Sequence, residues 1–308
     1  MWPNFGVKFE AGWMSVVRSG NRIDLAHVIR PPGQRPQIMQ CDSFRIEKDE
    51  ADALSRLSQR CNLKRHRCTT LLDEDSYRLV HIEAPAVPAE ERVEALRWRL
   101  KDAVDFSVAD AAIAVADIPT EGARQAHVFA MVAPSAAVGE RMGMFQQARA
   151  PLEAIDIPEM AVRNVAALFE EANRGLAFLA INESESLLTI TWRGELYLSR
   201  RIETSAGALA QGDTERRGQL LERLALELQR TLDNFDRQYG FISISRLLVA
   251  SEHDCAATTA ALAENLYLPT QAVDLGQVLD FNALPELRSA ERQAQALLAI
   301  GAALREGA

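Results

Sequence analysis

No apolar run in these 308 residues approaches the roughly 20 that a membrane-spanning helix needs. The N terminus lacks a basic stretch leading into a long apolar one, so a secretory signal of the usual form is not expected. Cationic charge is short as well. Against 43 Asp and Glu stand 34 Lys and Arg, for a net charge of −9, and lysine occurs only at 8, 48, 64 and 101. With a pI near 5.2, a broad basic face for nucleic acid is excluded. Cysteine is scarce too: Cys41, Cys61, Cys68 and Cys255 are expected as free thiols. Cys61, His66 and Cys68 cluster, and His253 lies beside Cys255, but neither spacing matches a standard zinc pattern, and no metal is expected. The expected place of the chain is the cytosol, with any membrane contact made through a partner.

Composition is that of a globular protein, 48 % hydrophobic and 25 % charged, long enough for two domains. The most regular stretch is 176–202. Two apolar runs flank Asn182-Glu183-Ser184-Glu185-Ser186, and a third follows Arg193-Gly194. That pattern predicts an antiparallel meander of three strands. Residues 5–29 repeat it, with a polar knot at 8–12, a strand from Trp13 and a turn at Ser19-Gly20-Asn21. Placed on each other without a gap, Gly20 falls on Gly194 and Lys8 on Asn182, which suggests two related halves.

Between the meanders the periodicity changes. The spacing predicts a strand at 37–46, a helix at 50–61 and a strand at 67–72, then a strand at 76–82 and a helix opening at Pro88. In that helix Val93, Leu96, Leu100 and Val104 share one face, and Trp98 lies off it; a core role for Trp98 is weighed above a partner contact. Paired strands at 111–118 and 126–132, with a turn at 120–122, and a helix at 138–148 complete an α+β unit over about 76–150. A strand at 151–157 and a helix from Pro158 to 172 close the first half. In the second, 205–218 reads as a polar loop, 219–238 as the strongest helix, 242–250 as a strand, 256–265 as a helix, 270–275 as an edge strand and 290–305 as a closing helix. His27, His81 and His127 read as core-edge or surface residues.

Two such meanders, one per half, resemble the actin, Hsp70 and sugar-kinase fold. The resemblance sharpens at Tyr77-Arg78-Leu79-Val80, Ala95-Leu96-Arg97-Trp98-Arg99-Leu100-Lys101-Asp102, Ile155-Asp156-Ile157-Pro158-Glu159, Glu227-Leu228-Gln229-Arg230-Thr231-Leu232-Asp233 and Leu298-Ala299-Ile300-Gly301-Ala302-Ala303-Leu304-Arg305. These stretches resemble the PilM-like proteins of type IV pilus assembly, and most of all their MSHA-pilus members, MshI. The resemblance implies an α/β chain of two actin-like, FtsA-like domains, 1–174 and 175–308, with the insert subdomain at about 76–150. It implies a role at the cytoplasmic face of the inner membrane, holding the N-terminal cytoplasmic tail of a single-span PilN-like or MshJ-like partner. The groove is expected between the insert and residues 40–72, with Tyr77, Trp98 and Phe106 as anchors.

In the family's nucleotide-binding members both hairpin turns carry Asp and Gly, and a Gly pair makes room for adenosine. The Asp acts on the metal, and Gly lets backbone N–H groups reach phosphate. Here the corresponding places read Lys8 and Glu10, Asn182 and Ser184, and Ser251 and Glu252. Acids set where triphosphate would lie repel it and leave no evident metal cradle. The expectation is a degenerate nucleotide site with no catalytic residue and no cofactor: a non-catalytic scaffold. The alternative is a nucleotide-binding PilM-like ATPase of pilus or type II secretion assembly.

Overall fold

The computed structural model describes residues 9–120 and 125–306. The first half opens with β1 (Trp13–Ser19), β2 (Arg22–Ile29), β3 (Gln37–Arg45), α1 (Glu50–Arg60) and β4 (Arg67–Leu71). Then come β5 (Arg78–Glu83), α2 (Arg92–Leu100), β6 (Ala111–Ile118), β7 (His127–Pro134), α3 (Ser135–Gln147), β8 (Leu152–Asp156) and α4 (Pro158–Ala166). The remainder is β9 (Gly175–Ile181), β10 (Ser186–Trp192), β11 (Glu195–Ile202), α5 (Ala206–Gln211), α6 (Thr214–Gln238), β12 (Ile244–Ser251), α7 (Cys255–Asn265), β13 (Thr270–Ala272) and α8 (Ala290–Ala303).

One sheet has the order β3-β2-β1-β4-β8, the other β11-β10-β9-β12-β13. In each, three antiparallel strands come first, and two parallel strands are added beside the opening one. Both faces of the central strands are covered: every residue of β9 and β10 is buried, Ser186, Thr189 and Thr191 included. Helices fill three layers. α1 and α3 cover one face of the first sheet through Leu54, Leu57 and Phe145. α6 covers the outer face of the second through Leu224, Leu228 and Leu232. α4 and α8 lie between the sheets, joining Val17 and Val28 of one to Leu176 and Phe178 of the other. The Ser15 hydroxyl donates to the Ala299 carbonyl at 2.6 Å, tying β1 to α8. A third sheet, β5-β7-β6, is the core of the insert, with α2 packed on one face through Leu96 and Leu100.

This topology corrects the ungapped repeat. β1 corresponds to β9, since each stands between a hairpin partner and a parallel strand. The turn Ser19-Gly20-Asn21 is therefore the counterpart of residues 182–185, and Gly194 belongs to the next turn along. Gly20 (φ +57°) and Gly194 (φ +77°) both adopt the left-handed backbone of tight hairpins. Such a glycine marks a turn without saying which one, so the match slipped by a strand. The strand expected before residue 8, and most of the turn at 120–122, fall outside the described residues.

The polar stretch 205–218 is helical rather than a loop. Ser205 caps α5 by accepting from the Ala208 N–H at 3.1 Å, and Asp213 caps α6 by accepting from the Arg216 N–H at 2.8 Å. Ser and Asp are favoured cap residues. The weak apolar stripe of the first turns hid the helices behind them.

Candidate functional site

In open α/β sheets a ligand cleft forms outside the carboxyl ends of the strands. Here the turn after β1, the loop at 72–76 and the turn after β9 enclose a cleft of about 380 Å³, with Ser19, Gly20, Asn182 and Ser184 on its walls. The turn after β9 is held from behind. Its Asn182 and Glu183 carbonyls accept from the Ala206 and Gly207 N–H groups at 2.8 and 3.2 Å. A Cβ on Gly207 would stand 2.8 Å from the Glu183 carbonyl oxygen, so only glycine lets the first turn of α5 approach so closely.

Three arginine clusters surround this cleft. Arg22 donates to Glu252, past the end of β12, at 2.7 Å and to Asp24 at 2.9 Å. Burial nevertheless pushes both carboxyls above their ordinary range. Arg141 of α3, itself buried, reaches Glu50 and Asp73, the latter at 2.8 Å, and Arg18 lies 3.7 Å from the same Asp73. Arg201 of β11 binds Glu185 at 2.8 Å, Glu159 at 3.0 Å, Glu74 at 3.4 Å and the Tyr77 hydroxyl. Burial, reinforced by Glu74 and Glu159 against the pull of Arg201, pushes the Glu185 carboxyl up to about 7.

These clusters decide where the expected residues fall. Asn182 and Ser184 line the cleft. Glu252 adjoins it through Arg22, and Ser251 is buried, its hydroxyl donating to the His253 carbonyl at 2.6 Å. Glu10 is not there: it precedes β1, at the opposite end of that strand from Gly20, where it pairs with Arg65 at 3.3 Å. The slipped register had placed it in the cleft. Lys8 lies outside the described residues. Tyr77 is no surface anchor either. It is 3 % exposed, its hydroxyl donates to Glu159 while accepting from Arg201, and burial, with Glu159 beside it and against the pull of Arg201, pushes its own ionisation far up. Arg22, Arg141 and Arg201 were not singled out from the sequence. Arginine in a strand or a helix reads as a solvated face until the fold brings carboxylates to it.

Trp98 and Phe106 do meet, on the insert. They line an open groove of about 850 Å³ with Val104 and Val108. Trp98 is 74 % exposed, which overturns its reading as a core residue. Two positions of a helix span about 200°, so burial of Leu96 and Leu100 turns Trp98 outward. Arg97 secures the groove's other wall by donating to the Val108 and Ala111 carbonyls. All the residues around this groove lie within 94–109, not on the 40–72 side. A cavity does form between the insert and that side, but it is lined mostly by charged groups such as Glu50, Asp73 and Arg141.

Among the described residues no three His, Cys, Asp or Glu side chains gather as a metal site, and no helix is long and apolar enough to cross a membrane.

No protein-family model and no curated protein matches this sequence. Solved structures do match. A PilM-PilN type IV pilus biogenesis complex superposes with a TM-score of 0.76 at 17 % identity, covering 96 % of this chain and 98 % of that one. The chain has an actin-like ATPase fold. The cytoplasmic domain of EpsL, an inner-membrane component of the Vibrio cholerae type II secretion system, aligns at TM-score 0.51 and 12 % identity over 96 % and 97 % of the two chains. A Bacteroides thetaiotaomicron protein with an actin-like ATPase fold and unknown function aligns at 0.51 and 11 % over 93 % and 95 %. The two sheets of this chain repeat one topology, and the cleft above is lined from both.

Proposed function

We propose that this chain is a non-catalytic scaffold of a type IV pilus assembly platform, of MSHA type, holding the cytoplasmic tail of a PilN-like or MshJ-like inner-membrane protein. The reading rests above all on the likeness, over nearly the full length of both chains, to a structure whose own subject is a PilM-PilN complex. A scaffold needs a docking face, and the insert offers one in the groove beside exposed Trp98 and Phe106. An extended tail gains affinity from side-chain pockets and from aromatic contacts that exclude water. The domain division carried into this proposal is 1–174, with the insert at about 76–150, and 175–308. The chain sits at the inner membrane only through its partner.

The cleft suits a magnesium nucleotide poorly. Arg22 and Glu252 pair at 2.7 Å between the two sheets, and Glu252 and Glu183 add negative charge close to where phosphates would lie. A second reading, a PilM-like ATPase, draws on Asp73, Glu74 and Asp75, acids that border the same cleft beside Gly20. Two titrations separate the readings. Full-length protein titrated with a synthetic tail peptide of the partner should bind saturably, and titrated with magnesium ATP should release no heat. Micromolar ATP affinity with turnover in a coupled assay establishes the second reading. A tail that does not bind removes the first.

A further inference from the structure

The three carboxylates around Arg201 reach it from different places in the fold. Glu185 comes from the turn after β9, in the same sheet as Arg201. Glu74 comes from the segment between β4 and β5, and Glu159 from α4, which lies between the sheets. The two terminal nitrogens of the guanidinium divide them. Nη2 donates to Glu159 at 3.0 Å and to the Tyr77 hydroxyl, which itself donates to Glu159. Nη1 holds Glu185 at 2.8 Å and Glu74 at 3.4 Å. One cation thus faces three carboxylates, two of them on a single nitrogen. The arginines beside the Glu74 segment are engaged elsewhere: Arg18 and Arg141 by Glu50 and Asp73, and Arg78 by Asp105.

Two ionised carboxylates on one N–H group repel each other, and a proton held between them removes the repulsion. Glu185 and Glu74 are within hydrogen-bond reach of each other, and burial, with Glu74 and Glu159 beside it and against the pull of Arg201, keeps the Glu185 proton to about 7. The two side chains differ in freedom. That of Glu185 is 17 % exposed and that of Glu74 is 40 % exposed, so Glu74 is the partner able to leave. Both belong to walls of the cleft, Glu74 with Asp73 and Ser76 on one side, and the turn bearing Asn182 and Ser184 on the other. Their meeting on Arg201 joins those walls.

We propose that Glu74 and Glu185 form a proton-operated latch on the cleft: while they share a proton both stay on Arg201 and hold the 72–76 segment against the turn 182–185, and when the proton leaves to solvent Glu74 swings out and the walls part. Hydrogen exchange read by mass spectrometry on the full chain follows each wall separately, through peptides covering 72–77 and 182–186. Intrinsic exchange also rises with pH, so the wild-type rate is divided by that of Glu185→Gln at each pH; in that variant a neutral amide stands where the protonated carboxyl does. The ratio should rise about thirtyfold from pH 5.5 to pH 8.5 in both peptides, as expected of a carboxyl moving between an ordinary 4.5 and about 7. The core of α6 should stay protected over the same range, which separates opening of the latch from unfolding. Glu74→Gln should remove the rise as Glu185→Gln does, since either amide ends the repulsion. Its side chain is partly exposed, so wild type divided by Glu74→Gln gives the same test if Glu185→Gln fails to fold. A ratio that stays flat in either peptide overturns the proposal. So does a rise that Glu74→Gln leaves in place, or exchange of α6 at the same rate as the two walls.

Discussion

The Arg22 guanidinium donates to the Glu252 carboxylate at 2.7 Å, joining the strand after the first hairpin turn to the end of β12 in the other sheet. Arg22 also serves Asp24, which is buried with its Oδ1 otherwise unpartnered. Removing the guanidinium takes from two desolvated carboxylates the cation each is paired with. Arg22→Ala should therefore lower unfolding free energy by about 3 kcal/mol in urea titrations. Arg22→Met with Glu252→Leu should recover part of that loss, because replacing a whole pair is less costly than breaking it. A single-variant loss below about 0.5 kcal/mol, as for exposed pairs, would refute the bridge.

Glu185 gives stability a pH dependence of definite sign. Its folded carboxyl titrates at about 7 against an ordinary 4.5, so folding favours the protonated form. Its stabilising contribution is full below the unfolded value and is lost as pH rises through about 7. Glu185→Gln keeps a neutral, isosteric group beside Arg201. Relative to wild type the variant should gain stability steadily from pH 5 to pH 8, read from urea midpoints. A difference that stays flat across that range would show Glu185 to be ionised throughout.

Trp98 and Tyr77 make opposite predictions although both resembled partner anchors in the sequence. Trp98→Ala should weaken tail binding by about 2 kcal/mol, some thirtyfold, with little change in thermal midpoint, because the indole is mostly exposed. Tyr77→Phe should cost about 2 kcal/mol of stability, because Glu159 and Arg201 lose a shared buried hydroxyl, and should leave tail affinity unchanged. Tail binding lost in Tyr77→Phe but intact in Trp98→Ala would move the groove away from the insert's α2.

Gly301 and Ala161 bring α8 and α4 into backbone contact between the two sheets. A Cβ on Gly301 would stand 2.2 Å from the Ala161 carbonyl oxygen, and Asn164 donates to the Gly301 carbonyl at 3.0 Å. Gly301→Ala forces the helices apart along the core shared by both sheets. The expected loss is about 3 kcal/mol in calorimetric unfolding. A loss below about 1 kcal/mol would mean that the helices part easily and that this core is not tightly packed.

Much of the architecture was legible because local periodicity carries it. The meander at 176–202, the helix ending at Gln238, the strands of the insert and the alternation of strand with helix all appear near their expected places. Apolar spacing also put Trp98 off the core stripe of α2, and only the assumption that a tryptophan prefers burial misled. The repeat of two halves was legible as well, though its register was not: glycine at a hairpin turn is a local requirement that every tight turn satisfies alike. Arrangement across long separations was decided by tertiary structure alone. Nothing near Arg22 in the chain announces Glu252, and nothing near Arg201 announces Tyr77, Glu159 and Glu185. Such pairs exist because two sheets with the same topology are fastened through α4 and α8, which aims the carboxyl ends of their strands at one cleft. Charge partners in that cleft are set by geometry in space, to which hydrophobic periodicity along the chain is blind.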